Sequence, residues 1–102
     1  MARNHQKPAQ VDISVRRMDF EFTDIPRYWA LNDPVCTHLL NALSLTFPDG
    51  ERFFVDSVRA LRDRVEDKAR QKEISGFIGQ EAMHSKEHET FNRCSKARVM
   101  AR

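Results

Sequence analysis

The chain has little of what marks most specialised protein classes. Its two cysteines, Cys36 and Cys94, lie far apart with no Cys-x-x-Cys pair. That excludes a zinc knuckle and a disulfide framework, and leaves two free thiols suited to a reducing compartment. No stretch approaches the ~18 apolar residues of a membrane span, and residues 1–10 are polar, without the apolar core of a signal peptide. The cytoplasm is the expected location. A dominant sign of charge is missing too, since 17 Lys+Arg against 15 Asp+Glu give a formal net charge of +2. With acidic and basic residues interleaved except at the two ends, nucleic acid is set aside as a partner.

What is present suits one small soluble domain. The 102 residues can build two or three helical layers, and 40% apolar with 31% charged residues lies above the range where composition predicts disorder. Residues 1–14 are expected to form a flexible N-terminal arm. From Val11 the pattern alternates, with Val11, Ile13 and Val15 against Asp12 and Ser14. It slips at Arg16-Arg17 and resumes as Met18, Phe20 and Phe22. This reads as an extended segment that crosses a helical surface or pairs with another chain. Residues 23–32, with Pro26, Tyr28 and Trp29, read as a turn with a short helical piece that plugs one end of the core.

Asp33-Pro34 is a helix start, an N-cap aspartate followed by a proline that loses nothing at the first helical position. A first helix is predicted over residues 33–46, with Cys36, Leu39, Leu40, Leu43 and Phe47 on one stripe and Val35, Ala42 and Leu45 opposite, so that both flanks are covered. Phe47-Pro48-Asp49-Gly50 interrupts it, because Pro48 disfavours a helical Phe47. A second helix over residues 49–68 places Phe54, Val55, Val58, Leu61 and Val65 on one stripe, and Glu51 falls on that stripe. Arg62 and Glu66 read as an exposed i,i+4 pair on it. A third helix follows over residues 73–92, where Gly76 and Gly79 leave room for a close neighbour. Residues 93–102 are basic, nearly aperiodic and read as a tail.

The third helix carries the chemistry. At about 100° per residue, Glu81, His84 and His88 share a face with Ile74, Phe77, Ile78 and Phe91, so a carboxylate and two imidazoles point where the apolar residues point. An unpaired buried carboxylate costs several kcal/mol, about 2–7 or more, or shifts its pKa until it neutralises, and a coordinated cation removes the penalty. Glu-x-x-His on one helix with a single Glu on another is half of the ligand set of di-metal carboxylate bundles. Against this stands a plainer reading, in which Glu81 and His84 are a solvated pair on a helix less buried than its period implies. His88 is read as a ligand or as a group that orients one, and His38 as a half-buried helix residue.

The blocks Arg17-Met18-Asp19-Phe20, Phe47-Pro48-Asp49-Gly50-Glu51-Arg52-Phe53-Phe54 and Phe77-Ile78-Gly79-Gln80-Glu81-Ala82-Met83-His84, with His88 following, resemble the bacterial predicted metal-dependent hydrolases. The resemblance runs from about Val15 to Asn92. It implies Glu51, Glu81 and His84 as metal ligands and His88 as a further ligand or a group that supports one. A divalent iron, manganese or zinc ion would then act on an unidentified small-molecule substrate, with His88 or a carboxylate as the catalytic group that takes the proton of a bound water. Members of that family are longer, which implies a match to an N-terminal part and a truncated form holding half of a site. The fold expected is mostly α: a partial ferritin-like bundle of about three helices spanning residues 15–92, with an extended N-terminal arm. A homodimer through the Glu51/Glu81 face would complete the bundle. A di-iron-type oxidoreductase and a non-catalytic helical remnant that self-associates are the alternatives.

Overall fold

The computed structural model describes residues 9–101. Residues 1–8, most of the expected flexible arm, and Arg102 lie outside that range. Helix α1 spans Pro34–Leu61, a 3-10 turn covers Arg62–Arg64, and helix α2 spans Lys68–Met100. Among the described residues there is no strand. The chain is thus mostly helical as expected, but with two long helices in place of three. They form an antiparallel hairpin that pairs Ser44 with Asn92, Glu51 with His84, and Arg62 with Gln71.

The missing break is at Pro48, which sits inside α1. An interior proline removes one i→i−4 hydrogen bond and typically costs ~3 kcal/mol. Here the carbonyl left without a donor, that of Ser44, receives the side-chain amide of Asn92 at 3.1 Å. A side chain from the facing helix substitutes for the absent N–H, and α1 continues. Asp33 caps its start as predicted, accepting from the Cys36 amide at 2.7 Å.

The hairpin connection also differs from the expected one. Arg62 makes no i,i+4 pair with Glu66; its guanidinium reaches Gln71 and Ser75, while the Gln71 amide donates to the carbonyls of Arg62 and Val65. These bonds clasp the turn early, and Asp67 caps α2 by accepting from Ala69 and Arg70. At its far end α2 does not stop near Asn92, as the basic residues had suggested. The first turns of α1 lie alongside, with His38, Asn41 and Leu45 sharing a cleft with Ser95, Lys96 and Val99, so the basic stretch continues as helix to Met100.

The seam between the helices is small and polar. Thr37, Ser44 and Glu51, spaced by seven, are the buried positions of α1. Ala30 is the one buried apolar residue among those described. Leu39, Leu45 and Val35 are exposed, so α1 is not covered on both flanks, and Leu40, Leu43, Phe47 and Phe54 stand open beside the seam. A row of leucine and phenylalanine without a neighbour is a usual mark of an interface or a ligand site.

Residues 9–22 form neither helix nor strand and run along α2. Their amide N–H groups donate to side chains spaced by seven on that helix: Val11 to Glu73 at 2.8 Å, Arg16 to Gln80 at 2.9 Å, and Asp19 and Phe20 to the two oxygens of Glu87. Gly76 and Gly79 lie between these rungs. A Cβ on Gly76 would stand 2.5 Å from the Ile13 carbonyl, and one on Gly79 2.6 Å from Val15 Cγ2, so the neighbour that these glycines admit is the arm. Residues 23–32 are turns without the short helix expected there. Leu31 and Asn32 take positive φ, which swings the chain so that Ala30 accepts from Asp33 and donates to Thr37.

Candidate metal centre

Glu51 projects from the middle of α1 into the seam, and His84 and His88 project from successive turns of α2 toward it. Each offers one donor atom, and the three atoms lie within 4.8 Å of one another. Glu51 is 4% exposed. His84 Nδ1 approaches Glu51 Oε1 to 2.9 Å, yet neither carboxylate oxygen receives a well-directed hydrogen bond. A separation of ~2.9–3.5 Å is also what two ligand atoms show when each is ~2.0–2.2 Å from a shared ion. Glu81 flanks the group, with Oε2 4.0 Å from His84 Nδ1, and is not one of the three clustered donors.

Beyond His88 lies a pair that sequence reasoning missed. The Ser44 carbonyl can only accept, so the Asn92 group facing it is the amide nitrogen, and Asn92 Oδ1 is left to face Ser44 Oγ at 2.7 Å. Oδ1 can only accept, so the single Ser44 hydroxyl proton goes to it. Ser44 Oγ must then accept from His88 Nδ1–H at 2.9 Å. The tautomer of His88 is fixed, and its Nε2 lone pair faces His84 Nε2 at 3.0 Å. The signal for Asn92 was its place one turn beyond His88 and two beyond His84 on α2; the signal for Ser44 was its place four residues before Pro48.

Counting protons along this row shows what it lacks. The His88–His84 contact needs one N–H, and the His84–Glu51 contact needs another. A neutral His84 has one to give. The row is short of one positive charge, which either a proton or a cation can provide. A proton on Nδ1 helps only if it points at Oε1, and the contact is not directed that way. A cation held here supplies that charge without the alignment, and one carboxylate with two imidazoles is a donor set that fits a metal ion.

The electrostatics agree with the burial. Desolvation pushes the Glu51 carboxyl above its ordinary value of 4.5; His84 and the nearby Ser85 hydroxyl oppose it, while Glu81 and Glu89 push the same way. Burial holds the His88 imidazole below its ordinary 6.5, and the neighbouring His84 adds to this. Phe47 packs edge-on against the His88 ring with centroids 4.6 Å apart, screening it from water.

The family model of the predicted metal-dependent hydrolases matches residues 14–101. The chain belongs to that family. The match takes in every residue of the Glu51, His84 and His88 group, together with Ser44 and Asn92. No curated protein and no solved structure shows significant similarity to the chain. No helix among the described residues is long and apolar enough to cross a membrane.

Proposed function

We propose that the chain acts as a metal-dependent hydrolase in which Glu51, His84 and His88 hold one divalent ion, with iron, manganese and zinc all suited to a carboxylate and imidazole set. The observation that carries this is the Glu51 carboxylate, buried with no directed hydrogen bond at either oxygen and faced by two imidazoles. A bound divalent ion supplies Lewis acidity toward a substrate oxygen and lowers the pKa of water toward neutrality. Around it, Ser44 and Asn92 orient the His88 ring, and the Phe47 ring keeps solvent from its edge. Glu81 Oε2 lies beside His84 outside the donor group, which suits it to accept the proton that water gives up. In this reading the proton-accepting role passes from His88 to Glu81, because His88 Nδ1 is committed to Ser44 and its Nε2 faces the donors.

The pairing of Glu51 on α1 with Glu81-x-x-His84 on α2 also supports a ferritin-like half-bundle, which a second copy meeting this face would complete. The open Phe54, beside Glu51 and His84 in one cleft, favours that arrangement.

Calorimetric titration of the chain with zinc, manganese and ferrous iron tests the metal reading. One site per chain is expected, lost in Glu51→Gln and His84→Ala and weakened at least tenfold in His88→Ala. Absence of binding by any of the three ions, or binding that survives Glu51→Gln, overturns it.

A further inference from the structure

A cavity of about 490 Å³ lies between the arm and the two helices; His84 and His88 of the donor group line it, and Glu51 lies in the adjoining cleft, which shares Phe47 and His84 with it. Phe22 and Trp29 come from the arm and the turn after it, Leu43 and Phe47 from α1, and Phe91 from α2. The walls hold one another in edge-to-face contact: Phe22 on Phe91 at 5.4 Å and 80°, Trp29 on Phe91 at 5.3 Å and 88°. The volume is in the range of small-ligand sites, about 300–1,000 Å³.

What the polar groups of the lining are doing narrows the ligand. Glu87 spends its two oxygens on the amides of Asp19 and Phe20. The Trp29 indole N–H donates to Asn41 Oδ1 at 2.9 Å, and the Ser44 hydroxyl is taken by Asn92 and His88. The remaining polar side chains of the lining, His84 and His88, belong to the donor group, so a polar atom finds a partner only at an ion held there. A ligand with hydrogen-bonding groups along its length would lose water and find no partners. One that is apolar along its length and polar at one end would lose nothing.

Resting on the metal-hydrolase reading, we infer that this cavity takes the apolar chain of the substrate, an acyl or alkyl group, and sets the bond to be hydrolysed at the Glu51, His84 and His88 end. The substrate class is then an ester or amide of a hydrophobic acid. The cavity excludes sugars, nucleotides and charged peptides.

Trp29 is the sole tryptophan and lines the cavity, so its fluorescence reports occupancy without turnover. With the metal-free full chain, an n-alkanol series from hexanol to dodecanol is expected to bind with a dissociation constant falling about fourfold per methylene, from ~0.8 kcal/mol per buried CH₂, until the cavity is full. Leu43→Trp and Phe91→Trp, each made in a Trp29→Phe background and read by competition with a fluorescent alkyl probe, should abolish binding. Val35→Ala, exposed and outside the cavity lining, should leave it unchanged. No chain-length dependence, or binding untouched by Leu43→Trp, overturns the cavity assignment, and so does a dimer in which the alkanols cannot reach Trp29. Zinc-loaded chain should bind decanoate at least tenfold more tightly than decanol, and equal affinity overturns the placement of the polar end. Zinc affinity measured on the same samples should stay within twofold in Leu43→Trp. If zinc fails to bind the wild type, the metal reading falls while the alkanol series still judges the cavity.

Discussion

Replacing Asn92 by alanine removes two bonds with separable consequences. The Ser44 carbonyl loses the donor that stands in for the N–H Pro48 lacks, and a buried carbonyl left without a partner costs about 1–3 kcal/mol. The Ser44 hydroxyl also loses its acceptor, and its proton turns to His88 Nδ1, 2.9 Å away. His88 then carries its proton on Nε2, the atom that faces the donor group. Groups that set a ligand's tautomer are commonly worth about 10–100-fold in metal affinity. Asn92→Ala should therefore lower the urea midpoint and weaken zinc binding by that factor. Adding Pro48→Ala restores a backbone N–H to the Ser44 carbonyl and should recover most of the stability, but not the affinity, because His88 keeps the wrong tautomer. Urea unfolding and zinc calorimetry on the wild type, the two single variants and the double variant make the test, with imidazole ¹⁵N shifts reporting the tautomer directly. A double variant that regained affinity along with stability would refute the proton assignment, and an Asn92→Ala chain with the wild-type midpoint would refute the account of Pro48.

Glu51→Gln should stabilise the metal-free chain at neutral pH by removing a buried charge, while abolishing metal binding; a lower urea midpoint without metal would contradict this. Because the folded-state pKa of Glu51 is raised, its contribution is fully present below 4.5 and is lost as pH climbs through the raised value, so wild-type stability without metal should decline over that window and Glu51→Gln should not. His88, with its folded-state pKa lowered, contributes above 6.5 and loses that contribution as pH falls through the lowered value; His88→Phe should remove this acid-side loss. Gly76→Ala places a methyl 2.5 Å from the Ile13 carbonyl and should lift the arm from α2, at a cost of about 1–3 kcal/mol, seen as faster proteolysis near Ile13. Unchanged cleavage would remove the close-packing argument. Phe54, 52% exposed, should drive self-association that Phe54→Asp abolishes, and sedimentation of a wild-type monomer at micromolar concentration would refute this.

Much of the site could be read from local spacing. Glu81, His84 and His88 share a helix face wherever that helix begins, and Glu51 was drawn toward them by its place on the neighbouring stripe; the structure brings Glu51, His84 and His88 together and leaves Glu81 beside them. The stripes of leucine and phenylalanine misled as to burial, because periodicity names a face without saying what covers it.

The sequence by itself determined that the chain is helical, that Asp33-Pro34 starts a helix, that Gly76 and Gly79 admit a close neighbour, and that Glu81, His84 and His88 share one helix face. Those properties depend on residues within a turn or two of each other, where geometry is fixed by the backbone. Only the tertiary structure decided that α1 passes through Pro48, which nitrogen of His88 carries the proton, and that the helix seam is Thr37, Ser44 and Glu51 with the large apolar residues left beside it. Each of these turns on contacts between the two helices. The first two depend on a hydrogen-bond partner of Ser44 that lies 48 positions away in the chain, and no local pattern records which side chain will supply it.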